Sequence, residues 1–264
     1  GYAAAIVTPV SIKTFVGGRH TYETSSPLVT DTTLYDVASI TKIIAPMSLA
    51  IKMIDEGKIS LDDPVGKYLP EFVTDEIKAQ ATIRHLLTYT LEYDLPFGAK
   101  SLMKELSPEE LALRMITVPL KVLPGTSYLY SNITAFILAQ VIERATQENF
   151  YTLVSREIFI PLGMTTATFT PDRNLWSQIP PTEITAERGI IRGFVHDEST
   201  DYLQSKNISS GAAGLFASVT DVAHFLQMVI SGSGPLGEFF STDMRLKWTT
   251  NQFPNLLPTL TPLG

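Results

Sequence analysis

The stretch from Asp36 to Ile54 constrains this chain more than any other. It reads Asp36-Val37-Ala38-Ser39-Ile40-Thr41-Lys42 and continues without a break through Ile43-Ile44-Ala45-Pro46-Met47-Ser48-Leu49-Ala50-Ile51-Lys52-Met53-Ile54. Apolar side chains at Ile43, Met47, Ala50, Ile51 and Ile54 recur at helical spacing, which predicts an amphipathic helix with one buried stripe. Pro46 is compatible with that helix if it falls within the first turns or at a mild kink. With Ser39 at the helix start, Lys42 lies three residues on and on the same face, about 5 to 6 Å away between Cβ atoms.

A serine hydroxyl is a weak nucleophile until a neighbouring base takes its proton. Lysine can be that base when it is desolvated. The start of a buried helix supplies apolar walls and a positive dipole end, which favour an alkoxide and disfavour an ammonium. The spacing alone is weak evidence, because a chain of this length holds about one Ser-x-x-Lys by chance. A second match is Ser101-Leu102-Met103-Lys104. Ser39 opens a long apolar-faced helix, whereas Ser101 sits in a polar run that soon meets Pro108. The plainer alternative for Ser39 is an ordinary helix-capping serine.

Composition narrows the rest. The 264 residues are 44% hydrophobic and 18% charged, suiting one large globular domain or two modest ones. A net charge of -7 argues against nucleic acid or an anionic membrane surface as partner. No run approaches the roughly 18 apolar residues of a spanning helix. With no cysteine, disulfides, thiolate chemistry and cysteine zinc sites are excluded, while the compartment stays open. The chain opens on Gly1 and stops at Thr261-Pro262-Leu263-Gly264, so a fragment at both ends is expected.

Residues 3–10 and 12–17 read as two strands of a hairpin stopped at Gly17-Gly18. Leu34 to Val37 makes a short approach to Ser39, and the helix that follows should end near Asp55, at Gly57. From Ser60 to about Ser205 the pattern becomes helices joined by proline-bearing loops. Leu61-Asp62-Asp63-Pro64-Val65 carries a cap and a helix-starting proline. Helices are expected over 82–88, 107–117, 132–147 and 151–160, with 165–205 rich in loop. Ser209 to Ala217 is a run of small residues that permits close backbone approach. A helix over 218–230, capped by Ser218 or Thr220 and ended by Gly232, precedes a short one over 241–248. A hairpin alone cannot bury helices of this size, so further strands are expected beyond Gly264.

A serine and lysine pair also needs a group to protonate the leaving atom and another to hold the substrate. Tyr130-Ser131-Asn132 offers a phenol and a carboxamide, which face one side if the segment is extended. The plainer alternative is a packing aromatic followed by a helix cap at Asn132. Ser205-Lys206-Asn207 fits a related Ser-x-Asn pattern but lies in a polar loop.

Ser39-Ile40-Thr41-Lys42 with Tyr130-Ser131-Asn132 resembles the serine β-lactamase and penicillin-binding-protein superfamily. The likeness is greatest to the branch of class C β-lactamases, D-alanyl-D-alanine carboxypeptidases and related esterases. Further segments resemble that branch in the same order: Glu56 to Val65, Lys67 to Phe72, Thr82 to Thr88, Pro124-Gly125, Pro161 to Met164 and Gly214 to Ser218. Two departures stand out. The family's third motif, Lys-Thr-Gly or His-x-Gly on a strand that supplies an oxyanion N–H, is absent from residues 1–264. At Thr88-Tyr89-Thr90-Leu91-Glu92 many relatives read His-Thr-Ser-Gly.

The resemblance implies an α/β (α+β) fold, an antiparallel sheet flanked by helices. Its sheet-containing part would come from 1–59 and 206–264, with a mainly helical insertion over 60–205. It implies acyl transfer through a serine ester, with Ser39 as nucleophile, Lys42 as base, Tyr130 as proton donor to the leaving group and Asn132 on the substrate's amide. D-Ala-D-Ala peptides, β-lactams or small esters are the implied substrates, with no cofactor, in a bacterial envelope or cytoplasm. A relative that binds peptide or cell-wall fragments without turnover is the alternative. Among other candidates, His85 and His224 read as structural, and His196-Asp197-Glu198 as a polar trio that could line the cleft or hold a cation. No Gly-x-Ser-x-Gly elbow supports a Ser-His-Asp hydrolase. The sequons at Asn132 and Asn207 read as coincidences of letters.

Overall fold

The first two strands pair as expected. In a computed structural model describing residues 1–95 and 102–252, β1 (Tyr2–Thr8) and β2 (Ser11–Gly17) form an antiparallel hairpin. Tyr2 stands opposite Gly17 and Thr8 opposite Ser11, and the Thr8 hydroxyl accepts the Ser11 N–H at 3.0 Å to close the turn. A two-residue strand, β3 (Tyr35–Asp36), then leads into the helical run.

That run is continuous but not uniform. It consists of α1 (Ile40–Lys42), a π-helical turn over Ile43–Met47, and α2 (Ser48–Asp55). Pro46 lies inside the π turn. Proline has no N–H and its ring collides with the carbonyl four residues back, and the wider turn makes room for it. The extra residue rotates the buried face, which corrects the expected stripe. Ile43 is 45% exposed, while Ile44, Ala45, Leu49, Ala50, Ile51 and Met53 are buried. Met47 and Ile54 are only partly buried.

The middle of the chain is helical. Pro64 starts no α-helix; it precedes a single 3-10 turn, Val65–Lys67. Thr82 and His85 form a reciprocal cap on α3 (Ile83–Leu87), and Ser107 and Glu110 do the same on α4 (Pro108–Thr117). The longest helix, α5 (Asn132–Thr146), buries an unbroken run from Ile133 to Ala139, then Val141 and Ile142. It touches α3, α4 and the π turn, and so stands at the centre of the core. Next come α6 (Phe150–Val154), a second π turn over Ser155–Phe159, and α7 (Ile160–Leu162).

Residues 165–205 hold more order than their sequence suggests. They contain a 3-10 turn over Arg173–Gln178, the hairpin of β4 (Glu183–Thr185) and β5 (Gly189–Ile191), and α8 (Glu198–Gln204). β6 (Phe216–Ala217) then pairs antiparallel with β3, joining Tyr35 to Ala217 and Asp36 to Phe216. Ser218 and Asp221 cap α9 (Val219–Ser231), which packs across β1 and β2 and ends at the left-handed Gly232. A short hairpin of β7 (Ser233–Gly234) and β8 (Gly237–Glu238) leads to α10 (Thr242–Thr249), capped by Ser241. Every strand pair among the described residues is antiparallel, giving the mixed helix and antiparallel-sheet fold expected. No helix among them is long and apolar enough to cross a membrane.

Candidate active site

The small residues over 209–217 decide where the start of α1 sits. The Val37 N–H donates to the Leu215 carbonyl at 3.0 Å, and the Leu215 N–H donates to the Thr41 hydroxyl at 3.2 Å. A Cβ on Gly211 would lie 2.6 Å from the Ala135 carbonyl oxygen and 2.8 Å from the Pro46 ring. Only glycine lets this segment pass between α5 and the π turn.

Between those anchors, Ala38 takes a left-handed conformation, with φ at +51°. A residue with a Cβ in this region carries on the order of 1 to 2 kcal/mol of strain. The Asp36 carboxylate holds it there by accepting the Ala38 N–H at 2.8 Å. Ser39 follows directly and begins α1, yet its hydroxyl makes no capping bond. It accepts a hydrogen bond from Lys42 Nζ at 2.9 Å instead. The capping-serine alternative therefore does not describe Ser39.

Lys42 is buried, 2% exposed, and Nζ also donates to the Ala212 carbonyl at 2.6 Å. Burial holds its pKa below the usual lysine value, and the nearby Tyr130 phenol and Asp197 charge push part of the way back. Nζ lies 5.3 Å from the centre of the Tyr130 ring. Tyr130 is half exposed and stacks on Tyr89, with ring centres 5.4 Å apart. Tyr89 is the residue that makes the 88–92 loop unusual. Its backbone is left-handed, at φ +56°, and its carbonyl accepts the Leu129 N–H at 2.9 Å, fixing the approach to Tyr130. Burial raises the Tyr89 phenol well above the ordinary tyrosine range.

Asn132 is the first residue of α5, and the cap is Ser131, whose hydroxyl accepts the Ile133 N–H. Two expectations are thereby corrected. Asn132 is not the cap, and the segment is not extended through residue 132, because Asn132 is already helical. The Asn132 Nδ2 donates to Asp197 Oδ2 at 3.2 Å, and the Asp197 charge is the least of the influences that oppose the effect of burial on Lys42.

Asp36 and Asp197 were not singled out individually from sequence. The Asp36 side chain has no exposure, and its Oδ2 meets both the His196 backbone N–H at 2.9 Å and His196 Nδ1 at 2.8 Å. Of the trio at 196–198, His196 and Asp197 thus line this cleft, and no cluster suited to a metal ion is found among the described residues. His85 caps α3 through Nδ1, and His224 Nδ1 sits 3.0 Å from the Gly163 carbonyl; both roles are structural. Ser205, Lys206 and Asn207 form an exposed turn after α8. Ser101, of the second Ser-x-x-Lys, lies outside the described residues. A spacing rule could have found Ser39 and Lys42, but nothing in the local sequence links Asp36 to a histidine far along the chain.

A family model described as Beta-lactamase matches residues 1–256. A putative D-alanyl-D-alanine carboxypeptidase of Escherichia coli (strain K12) is 32% identical over 226 residues, covering 76% of this chain and 52% of that protein. The chain therefore spans about half the length of the curated relatives it matches. A solved β-lactamase/D-alanine carboxypeptidase from Pseudomonas syringae superposes with a TM-score of 0.72 at 18% identity, covering 93% of this chain and 63% of that one. The D-alanine carboxypeptidase AmpC from Burkholderia cenocepacia gives 0.67 at 22%, covering 93% and 62%. At such identities these two structures speak for the fold alone.

Proposed function

This chain belongs to the beta-lactamase family, and from that premise we propose that it carries the acylation half-site of a serine hydrolase acting on an amide or ester carbonyl. The observation that carries the reading is the 2.9 Å contact between Ser39 Oγ and the Nζ of a buried lysine. Burial favours the neutral amine, and a neutral amine at hydrogen-bond distance can take the hydroxyl proton.

In the proposed reaction Ser39 Oγ attacks the carbonyl carbon while its proton moves to Lys42 Nζ. The tetrahedral intermediate collapses, and the departing nitrogen or oxygen takes a proton from the Tyr130 phenol, which Lys42 resupplies. Water then cleaves the Ser39 ester by the reverse relay and returns a proton to Ser39. The Ser39 N–H would give one half of the oxyanion hole, and Asn132 would hold the substrate's side amide. We further propose that the sheet-containing part is built from 1–59 and 206–264 around a mainly helical insertion over 60–205. D-Ala-D-Ala peptides, β-lactams and small esters all present the required carbonyl, and the pocket walls select among them.

A second reading is a relative that binds such ligands without turnover. It is favoured by one observation, the absence of Lys-Thr-Gly and His-x-Gly from these 264 residues. An oxyanion donor contributes about 2.7 to 4 kcal/mol to the transition state. Labelling the complete natural protein with a fluorescent penicillin and a fluorophosphonate separates the two. Label that disappears in Ser39→Ala supports acyl transfer; saturable binding with no covalent adduct supports the binder.

A further inference from the structure

We propose that Tyr89 is the positioning residue for the Tyr130 phenol, its ring serving as the platform that holds the proton donor beside Lys42. The inference rests on the reading of Ser39, Lys42 and Tyr130 as nucleophile, base and proton donor, and adds what aims the third of them.

The end of α3 decides where the Tyr89 ring goes. The helix closes with two bonds, from the Tyr89 N–H to the Leu86 carbonyl at 3.3 Å and from the Thr90 N–H to the His85 carbonyl at 3.1 Å. These are the paired bonds of a Schellman motif, whose left-handed position is ordinarily glycine because a Cβ there is strained. Tyr89 occupies that position, at φ +56°. For a bulky residue such a backbone is an outlier, and it persists only where the surroundings over-determine it. Here they do. Thr90 and Leu91 are buried beyond it, and the Thr90 carbonyl accepts the Gly125 N–H at 2.9 Å. The Tyr89 carbonyl accepts the Leu129 N–H, also at 2.9 Å, which lays the two segments side by side.

Tyr130 has less to hold it. Its side chain is 53% exposed, and α5 begins only at Asn132. The two rings stack with centres 5.4 Å apart and planes 18° from parallel, within the range that aromatic pairs prefer. Lys42 Nζ stands 5.3 Å from the centre of the same Tyr130 ring. A half-exposed phenol is thus set between a rigidly held ring and the amine that resupplies its proton. Its direction matters, because a displacement of about 1 Å can cost about 10²-fold in rate. Tyr89 is a poor donor itself, since burial raises its phenol well above the ordinary tyrosine range. Its contribution is the surface of its ring.

The test uses the complete natural protein and one acyl group carried on two leaving groups, an amide and a p-nitrophenyl ester, of which the second departs without a proton. Tyr89→Gly removes the ring and suits the left-handed backbone, so the fold is retained. It should slow acylation of Ser39 by the amide about 10-fold to 100-fold, and by the ester less than about 3-fold. Tyr89→Phe keeps the ring and should restore the amide rate. In a Tyr130→Phe background Tyr89→Gly should cost little more, because the group it aims is gone. Equal losses on amide and ester mark a merely structural role and overturn the proposal. So does an unchanged amide rate in Tyr89→Gly, or a fully additive loss in the Tyr130→Phe background. The stack is read separately, from the Tyr130 ring signals of ¹³C-tyrosine-labelled protein, assigned with Tyr130→Phe. Tyr89→Gly should move these signals by removing the neighbouring ring current, and unmoved signals overturn the proposal. Moved signals in a protein that never acylates Ser39 keep the positioning and reject the acyl-transfer reading.

Discussion

Lys42 and Lys78 are both buried lysines, 2% and 0% exposed, and both donate hydrogen bonds to backbone carbonyls. Around Lys78 the described residues place no hydroxyl or phenol on the amine, and the Asp75 charge only partly opposes its burial. Its Nζ donates to the carbonyls of Ile116 at 2.5 Å and Val118 at 2.9 Å, where α4 ends, and lies 4.1 Å from the centre of the Phe72 ring. Burial pushes its pKa down to about 8. Around Lys42 one carbonyl is joined by an exposed hydroxyl and a half-exposed phenol. A lowered lysine pKa therefore does not by itself mark a reactive centre. What separates the two is whether the amine faces a group that can lose a proton to it.

The contrast breaks most sharply if the wrong lysine governs labelling. Lys42→Met should reduce the rate of Ser39 acylation by about 10³-fold or more, read by intact mass after exposure to an activated ester. Its unfolding free energy should fall by less than that of Lys78→Met, since one buried carbonyl, that of Ala212, is stranded rather than two and removal of a desolvated charge offsets part of the loss. Equal labelling of Lys42→Met and wild type would remove Lys42 from the chemistry.

Tyr130→Phe ranks next. Proton delivery by a positioned group is typically worth about 10²-fold to 10⁴-fold. The loss should be near that range for an amide, and much smaller for a p-nitrophenyl ester, whose leaving group departs without a proton. Equal losses for both substrates would assign Tyr130 to binding.

Lys78→Met should show the opposite pattern from Lys42→Met. It strands two buried carbonyls, each worth about 1 to 3 kcal/mol when left without a partner. Denaturant unfolding should reveal a loss of a few kcal/mol, with labelling of the folded fraction unchanged. The pH dependence follows from linkage. The folded pKa of about 8 lies below the ordinary 10.5, so between them the unfolded chain binds the extra proton. Stability from this group is complete above about 10.5 and is lost as pH falls through about 8. Wild type should therefore gain stability over that window relative to Lys78→Met, and parallel curves would refute the assignment.

These two lysines also show what could be read from the sequence. Ser39 and Lys42 were legible because helical spacing places them on one face. The caps at Ser107 and Ser218 were legible because their partners stand three residues away. The fold class followed from the resemblance. Lys78 was not legible, because its carbonyl partners stand about forty residues away. The bonds of Asp36 to His196, and of Asn132 to Asp197, likewise join residues with no periodic relation. Pro46 misled the choice of buried stripe, since a π turn leaves no trace in a pattern read at 3.6 residues per turn.

The smallest effect concerns strain, which the two regions do not share. Beside Ser39 the backbone carries a left-handed alanine, whereas Lys78 sits in a 3-10 turn with ordinary angles. Ala38→Gly removes the Cβ clash, a gain of about 1 kcal/mol, but gives the unfolded chain more freedom to lose, about 0.5 to 1 kcal/mol. The expected net change in unfolding free energy is therefore below about 1 kcal/mol. If the Asp36 bond to the Ala38 N–H sets the turn, Ala38→Gly should keep the acylation rate, and adding Asp36→Asn should lower it more than Asp36→Asn does alone. If instead the alanine Cβ holds Ser39 in place, Ala38→Gly alone should slow acylation at unchanged stability. A double-mutant cycle on acylation rate decides between them.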